Sequence, residues 1–237
     1  MKDIIILVIA SQNDIYDKTV KNYWNPMIEY CHQHYPRIQI YLLYGNSYQE
    51  KLNVNPKNLL KYNLDENFIP GILKKTIMAF EYVKKNYQFK TIIRTNISSF
   101  LVLDKIIQLC DQLSNIEYLY AGHSYKVNKN KHWISGALFL INENTLNFIL
   151  DNLKYLSYKT IDDVAIGRLI MRNDKIKMFH LPRCLFFNNL KDNKEIAKRV
   201  ILAINQNQFH FRIKSRNRKK DILTFEILTK FFYPVSH

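Results

Sequence analysis

Two patterns of apolar positions alternate along the chain. Almost continuous apolar runs at residues 3–10 and 38–44 are typical of strands buried on both faces of a parallel sheet. Residues 71–86 instead place apolar side chains, such as Ile77 and Phe80, at helical spacing. Because strand-like and helix-like segments follow one another over most of the length, the sequence predicts an α/β fold.

The predicted elements fit a single domain, residues 1–237, in which helices flank a central, mostly parallel sheet. No internal repeat, low-complexity tract or linker rich in Pro and Gly interrupts them. The predicted strands are residues 3–10, 38–44, 59–62, 90–95, 117–123, 134–141, 176–180 and 208–213. The predicted helices are residues 16–34, 71–86, 104–113, 144–153, 161–173 and 221–232.

Composition narrows the range of partners without selecting one. Hydrophobic residues make up 47% of the chain, which is enough for a full core. The 35 Lys and Arg residues against 20 Asp and Glu give a formal net charge of +15. So basic a chain favours polyanionic or phosphorylated partners: nucleic acid, an anionic membrane or a nucleotide diphosphate.

The cysteines and apolar runs give expectations about compartment. Cys31, Cys110 and Cys184 are odd in number and widely spaced, so we expect neither a disulfide framework nor a structural zinc site. Residues 4–10 are too few to span a membrane and lack the flanks of a signal peptide, and no later stretch is longer. We expect a cytoplasmic protein without a membrane anchor.

A first candidate segment lies at residues 91–100, Thr-Ile-Ile-Arg-Thr-Asn-Ile-Ser-Ser-Phe. An apolar strand ends there in small polar residues, and ligands gather at the carboxyl ends of strands in open α/β sheets. Asn96, Ser98 and Ser99 are therefore candidates for contact with a polar ligand. The structural alternative is an ordinary strand-to-helix turn with serine caps.

A second candidate segment is Thr-Ile-Asp-Asp-Val-Ala-Ile-Gly at residues 160–167, where two carboxylates precede an apolar helix. Either carboxylate is a candidate general base if it projects into a cleft. The structural alternative is that Thr160 and Asp163 form a capping box at the helix start.

A third candidate segment, residues 208–220, concentrates positive charge. His210, Arg212 and Lys214 alternate along a predicted strand and share one of its faces. More basic residues, among them Arg216, follow at the start of the next helix, where cations oppose the helix dipole. An anion-binding site explains this cluster better than a contribution to stability, although a solvated basic face is the alternative.

The order of these segments resembles that in GT-A glycosyltransferases of the β1,3-galactosyltransferase and fringe type. In that family a central strand ends in an acidic triplet, a Ser-Gly segment opens the next apolar strand, and an Asp/Glu-Asp-Val motif ends in Gly. The similar stretches here begin at Arg94, Trp133 and Asp162. Residues 66–76 are similar to the family's Asp-x-Tyr-x-Asn-Leu-Thr-x-Lys-Thr segment, and Trp24 stands where an early Trp is usual.

The resemblance implies a GT-A, Rossmann-like domain that transfers a sugar from a nucleotide sugar, usually UDP-linked, to a glycan or glycoconjugate hydroxyl with inversion. Residues 1–100 would form the donor half and residues 101–207 the acceptor and catalytic half. Residues 208–237, a basic strand and C-terminal helix, would close the donor site.

The resemblance also implies roles for single residues. Asp163 is the general base, and Asp162 is the neighbouring candidate. The expected donor-side and diphosphate contacts are Lys75, Arg94, Asn96, Ser98, His210, Arg212, Lys214, Arg216, Ser11 and Asn13. The expected acceptor contacts are His132, Trp133, Ser135 and Gly136.

One departure from the family concerns the metal ion. The family's Asp-x-Asp, which holds Mn²⁺ or Mg²⁺ against the diphosphate, is replaced here by Asn96-x-Ser98. An amide and a hydroxyl supply no charge to offset the dehydration of a hard cation. We therefore expect no metal cofactor, and basic side chains in its place.

Two other functions compete with this expectation. An inactive relative that keeps the fold would bind a sugar or nucleotide without transferring it, and the lost acidic pair favours that reading. A basic nucleic-acid-binding protein would fit the net charge, but no helix-turn-helix, zinc-finger, KH or RRM signature is present, so no nucleic-acid partner is expected.

Overall fold

The computed structural model describes residues 2–11, 14–128, 131–186, 193–206, 208–215 and 218–233. Seven strands form one sheet in the order β3-β2-β1-β4-β7-β6-β8, and three form a second sheet in the order β5-β10-β9. The strands are β1 (Ile4–Ile9), β2 (Ile38–Tyr44), β3 (Leu59–Lys61), β4 (Thr91–Asn96), β5 (Ser99–Leu101), β6 (Leu119–Asn128), β7 (Lys131–Asn142), β8 (Lys177–His180), β9 (Cys184–Phe186) and β10 (His210–Ile213).

The large sheet is mostly parallel, as the sequence predicts. Strands β3, β2, β1 and β4 run parallel, β7 is antiparallel to both β4 and β6, and β8 is parallel to β6. The helices are α1 (Asp14–Thr19), α2 (Asn25–His34), α3 (Gly71–Asn86), α4 (Leu103–Gln112), α5 (Glu143–Asp151), α6 (Asp162–Ile170), α7 (Asn193–Asn205) and α8 (Arg218–Phe232). A π-helical turn, Val20–Trp24, joins α1 to α2.

The core has two layers, one on each face of the large sheet. Strand β1 is buried along its whole length because its side chains alternate between them. Ile4 and Ile6 pack with residues of α2, α4, α7 and α8. Ile5 and Leu7 pack with residues of α3, α5 and α6. The continuous apolar run that predicts a central parallel strand follows from this double coverage.

Several elements meet at one edge of the large sheet. Strands β1 and β4 both end there, at Ile9 and Asn96, which are register partners. Strand β7 enters from the same edge, because Thr95 of β4 pairs with Leu138. Strand β10 then pairs with β5, which follows β4 after a short turn. The chain thus brings parts that are far apart in sequence to one place.

The sequence predicts the elements of the large sheet and its helices better than the second sheet. Strand β2 and helix α3 have the predicted bounds, and α6 is shorter than predicted. The short strands β5 and β9 and helix α7 were not predicted. Strands β5 and β9 have three residues each, which leaves little periodicity to recognise, although the equally short β3 lies within a predicted strand. In the described part of the chain, no helix is long and apolar enough to cross a membrane.

Candidate active site

A cleft of about 290 Å³ opens at the edge of the large sheet where β1 and β4 end. Its walls combine apolar side chains with six charged groups. The lining residues are Ile9, Phe68, Ile72, Arg94, Asn96, Tyr125, Ser135, Gly136, Ala137, Ile161, Asp162, Asp163, Arg183, Arg212 and Lys214. Residues from all three candidate segments of the sequence therefore face one cavity, together with the Ser-Gly pair.

Gly136 in β7 links two of these segments. Its backbone N–H donates to Oδ2 of Asp163 at 2.8 Å. Its carbonyl oxygen accepts a hydrogen bond from Nη1 of Arg94 and lies 3.4 Å from Nδ2 of Asn96. A Cβ atom at this position would lie 3.2 Å from Arg94 Nη1 and from the Cβ and Oδ2 atoms of Asp163. A side chain here would force Arg94 or Asp163 to shift by a few tenths of an ångström, which favours glycine at this position.

Arg94 and Asp162 form a buried ion pair. Nη2 of Arg94 donates to Oδ2 of Asp162, and the two residues are 2% and 7% exposed. The guanidinium also lies over the ring of Phe139, with 5.7 Å between its central carbon and the ring centroid. Each charge is thus neutralised by the other, so this pair contributes shape more than net charge to the cleft.

Asp163 is held by backbone groups and faces the cleft. Oδ2 accepts from Gly136 as described, and Oδ1 accepts from the N–H of Val164 at 2.8 Å. The residue before α6 is Ile161, and no side chain caps this helix, so the structure does not form the capping box with Thr160 that was the structural alternative. Within the described residues no ion pair involves Asp163, and each carboxylate oxygen keeps a lone pair for another donor.

Arg212 on β10 also lines the cleft. Its Nη1 donates to Oδ1 of Asn96 at the end of β4. Burial and the nearby guanidinium groups of Arg183 and Arg218 lower the pKa of Arg212 to about 10, so it stays charged at neutral pH. Lys214, two residues further along the chain, is exposed and lines the same cleft.

Arg183 adds a cation that the sequence does not reveal. Nη1 donates to Ser135 Oγ at 2.9 Å, and Nη2 donates to the hydroxyl of Tyr125. The guanidinium carbon lies 5.2 Å from the centroid of the Tyr125 ring. Arg183 follows Leu-Pro in a connection between two short strands, where neither spacing nor a motif marks it as a ligand contact. Phe68, 65% exposed on the cleft wall, is also without a sequence signal.

The position expected for a divalent cation is taken by a guanidinium. Oδ1 of Asn96 accepts from Arg212 and from the N–H of Ser98 at 3.2 Å. The hydroxyl of Ser98 is 4% exposed and lies 3.5 Å from Nη2 of Arg218. The described residues contain no group of three or more His, Cys, Asp or Glu side chains that would hold a metal ion. These residues do not fit a hard cation, which needs free carboxylate oxygens.

The structure differs from the prediction at Lys75, which is buried beneath the sheet edge and does not line the cleft. Lys75 is 1% exposed, and its Nζ lies 2.6 Å from Oε1 of Glu66 and 2.5 Å from the carbonyl oxygen of Ala10. Burial lowers the pKa of Lys75, while Glu66 favours its charged form. The same Oε1 accepts the N–H of Gly45 at 2.5 Å, so this pair ties the ends of β1 and β2 together.

The prediction that His210 contacts the donor diphosphate is also not met. His210 is 2% exposed, and its Nε2 lies 3.0 Å from Ser99 Oγ. Burial, reinforced by the positive charges of Arg212 and Arg183, holds the pKa of His210 well below its usual value. The imidazole is therefore neutral at neutral pH and does not serve as a cation for a diphosphate.

Other predicted contacts lie beside the cleft or beyond the described residues. Ser11 is half-buried and Ser98 is buried, and neither lines the cavity. Trp133 packs on α6 instead: a Cβ atom at Gly167 would lie 3.1 Å from its Cβ. The positions of Asn13 and Arg216, and the side chain of His132, are outside the described residues.

No protein-family model matches this chain, and no curated protein sequence matches it significantly. Solved structures do match. A glycosyltransferase involved in the glycosylation of the major capsid of PBCV-1 aligns with a TM-score of 0.55 at 10% identity, over 95% of this chain and 99% of that one. The galactosyltransferase LgtC, in complex with donor and acceptor sugar analogues, aligns with a TM-score of 0.53 at 11% identity, over 98% of both chains.

A third match is the mannosyltransferase PcManGT from Pyrobaculum calidifontis in complex with GDP-Man and Mn²⁺. It aligns with a TM-score of 0.50 at 9% identity, over 99% of this chain and 76% of that one. Identities this low establish the architecture alone. The chain has the α/β fold of the GT-A glycosyltransferases.

Proposed function

We propose that this protein is a glycosyltransferase that moves a sugar from a nucleotide sugar to an acceptor hydroxyl. The observation that carries the proposal is that Asp163 and the cations Arg183, Arg212 and Lys214 line one cleft at the carboxyl edge of the sheet. A carboxylate that shares a cleft with several cations suits a reaction in which a hydroxyl loses a proton as a diphosphate leaves.

The charges of the cleft fit a diphosphate donor. Its lining contains four cations and two carboxylates, so its formal charge is two positive units. Since Arg94 is paired with Asp162, the surplus resides on Arg183, Arg212 and Lys214. A cation about 4 Å from a phosphate oxygen contributes about 4 kcal/mol at an effective dielectric constant near 20. A nucleoside diphosphate ester, with a negative charge on each phosphate, matches these cations.

The reaction we propose is a single displacement with inversion. Asp163 accepts the proton of the acceptor hydroxyl while the hydroxyl oxygen forms a bond to C1 of the donor sugar. The bond between C1 and the phosphate oxygen breaks, and the nucleoside diphosphate leaves toward Arg212, Arg183 and Lys214. A retaining double displacement needs a carboxylate nucleophile in addition to an acid and base, and Asp162 is held by Arg94.

Metal independence is part of the proposal. Arg212 donates to Asn96 at the position where the family's Asp-x-Asp would hold the ion. A fixed guanidinium can stabilise the developing charge of the leaving group as a metal ion would, without requiring a carboxylate cage. We also propose that UDP is the nucleotide, on the family resemblance alone.

Release of the free nucleotide, measured with and without excess EDTA, tests this function: a nucleoside diphosphate from UDP-, GDP- and dTDP-sugars, and CMP from a CMP-sugar. We expect slow hydrolysis or transfer that EDTA leaves unchanged. Replacing Arg212 by Gln should reduce turnover of the donor, whereas the matched change Arg199→Gln, outside the cleft, should not. Activity that EDTA abolishes and only Mn²⁺ restores would overturn metal independence, but it would still support the transferase function.

A second candidate is a nucleotide- or sugar-binding protein without activity. The replacement of the family's first aspartate by Asn96 favours this candidate. The amide oxygen of Asn96 already accepts a hydrogen bond from Arg212 and supplies no charge of its own. Under this alternative a nucleotide sugar raises the unfolding temperature, since a ligand at 100 times its Kd stabilises by about 2.7 kcal/mol, yet no nucleoside diphosphate is released.

A further inference from the structure

Helices α7 and α8 carry an exposed apolar patch away from the cleft. Ile201, Leu202 and Phe231 are 53%, 56% and 54% exposed, and among the described large apolar side chains only Phe68 is more exposed. Between the helices lies a groove of about 300 Å³. Its lining residues are Ala197, Val200, Ile201, Ile227, Lys230 and Phe231.

The patch does not result from poor packing of the two helices. Ile196 and Val200 of α7, and Phe225 and Leu228 of α8, are at most 3% exposed and belong to the main core. Each helix thus has one apolar face that packs inward and further apolar side chains that point outward. Contiguous exposed apolar side chains of this kind mark an interaction surface.

Lysines surround the apolar side chains. Lys198 and Lys194 stand about one and two turns before Leu202 on the same exposed face of α7, and Lys230 precedes Phe231 on α8. The groove itself contains no acidic residue. Two glutamates, Glu195 and Glu226, lie on neighbouring stripes of the helices, so the lysines outnumber the acids around the patch.

Charge distinguishes between the surfaces that would cover this patch. A second copy of the chain would bring another formal charge of +15 and its own lysines against the first, and like charges oppose such a pairing. An anionic lipid surface offers apolar depth to Ile201, Leu202 and Phe231 and negative headgroups to the lysines. Exposed apolar side chains with lysines beside them are typical of helices that lie in the membrane interface.

We propose that α7 and α8 dock the protein on an anionic membrane surface, with Ile201, Leu202 and Phe231 entering the headgroup region. The two helices flank β10 in the chain, and β10 carries Arg212 into the cleft. Docking would therefore hold the cleft near a lipid surface. This inference stands on the patch and does not depend on the proposed transferase activity.

Flotation of the full chain with vesicles tests the inference. Vesicles of neutral phosphatidylcholine are compared with vesicles that contain about a third phosphatidylglycerol. We expect binding to the anionic vesicles that weakens as salt rises, because each lysine near the surface contributes about fivefold to the partition constant at low ionic strength.

Three variants separate the contributions. Ile201→Ser, Leu202→Ser and Phe231→Ser together should reduce the partition constant at least a hundredfold, since burying each side chain is worth about tenfold or more. Lys194→Gln, Lys198→Gln and Lys230→Gln together should remove the preference for anionic vesicles. A control with Met78→Ser, Tyr158→Ser and Met171→Ser changes exposed apolar side chains elsewhere and should bind as the parent does.

Several results would overturn the inference. Absence of vesicle binding by the parent chain is one, and equal binding by the parent and the apolar triple variant is another. A stable dimer in light scattering that the apolar triple variant loses would assign the patch to a second copy instead. Circular dichroism and thermal unfolding of each variant exclude misfolding as the cause of a lost interaction.

Discussion

Two adjacent carboxylates at the start of α6 have opposite environments. Asp162 is buried against Arg94, whereas Asp163 accepts two backbone N–H groups and faces the cleft. A difference of one position along a helix turns the side chain by about 100°, which is enough to separate a structural acid from a reactive one. The two positions therefore predict different consequences of the same substitution.

Asp163→Asn should remove turnover and preserve the fold. An amide cannot take the proton of the acceptor hydroxyl, so we expect kcat to fall by about 10² to 10⁴. The free energy of unfolding should change by about 1 kcal/mol or less, the scale of a helix-terminus charge. Steady-state kinetics and thermal unfolding of the same sample measure both. Full activity in a much less stable variant would assign Asp163 to structure.

Asp162→Asn should have the reverse effect. It leaves the buried guanidinium of Arg94 without its counter-ion, which costs about 3–5 kcal/mol for pairs of this kind. Chemical denaturation reports the loss directly. Arg37 and Asp111 form a matched control pair at the surface, and Asp111→Asn should cost about 1 kcal/mol or less. Equal costs at the two sites would contradict the burial argument.

Gly136→Ala should lower kcat more than stability. The added methyl group meets Arg94 and Asp163 at 3.2 Å, so the carboxylate must shift, and small misplacements at a reacting centre cost about ten- to a hundredfold. Gly167→Ala is the control, since its methyl group meets Trp133 at 3.1 Å away from the reacting centre. If both variants lose stability alike and neither loses kcat, Gly136 does not position the base.

At the residue scale, the sequence predicts the meeting of the motifs but not their hydrogen bonds. The order of Arg94, Ser135 and Asp163 along the chain indicates one cleft, and the structure brings them together. Local rules mislead where a partner from another element competes. Asp163 accepts from Gly136, 27 residues earlier, instead of forming a box with Thr160. Arg183 cannot be predicted from the sequence, because a single arginine in a short connection belongs to no motif or periodic pattern.

At the element scale, the degree of burial changes along β10 and the residue that follows it. The sequence predicts His210, Arg212 and Lys214 on one strand face; the first two belong to β10, and Lys214 follows its last residue, Ile213. His210 is buried, Arg212 is partly buried and Lys214 is exposed. Periodicity gives the shared face, whereas the depth of each residue depends on β5 and β9, whose three-residue lengths escape prediction.

The buried imidazole predicts an acid-sensitive fold. The folded chain holds the pKa of His210 well below the value near 6.5 that it has when unfolded, so the unfolded state binds a proton first as pH falls. Stability from this group is complete above about pH 6.5 and declines below it, by at most about 1.4 kcal/mol per pH unit. Burial also lowers the pKa of His123 to about 4, which adds in the same direction.

Thermal unfolding between pH 7.5 and 5 checks this expectation. His210→Gln keeps a hydrogen-bonding group near Ser99 and should flatten the dependence of unfolding temperature on pH. His34→Gln, at an exposed position on α2, serves as the control and should keep the slope of the parent. An unchanged slope in the His210 variant would show that other groups govern the acid response.

At the scale of the whole molecule, the hydrophobic pattern predicts the large sheet and most of its helices but not the second sheet. The double-faced burial of β1 and the helical spacing of α3 lead to a mostly parallel sheet between two helical layers. The net charge alone does not identify the binding partner. The +15 surplus is divided among a cleft wall, a helical patch and scattered lysines, and only the folded arrangement separates these.

The crossing of β10 into the cleft has a consequence for biosynthesis. The seven strands of the large sheet lie within residues 4–180, so a nascent chain of that length already contains every strand needed for it. Arg212, whose guanidinium contacts Asn96, lies 116 residues after Asn96 in the chain and beyond the last strand of the large sheet. A polypeptide interrupted between residues 183 and 212 would present a half-built cavity that holds Asp163 and Arg183 but lacks Arg212 and Lys214. The order of synthesis thus delays any competence for substrate until the last part of the domain has folded back.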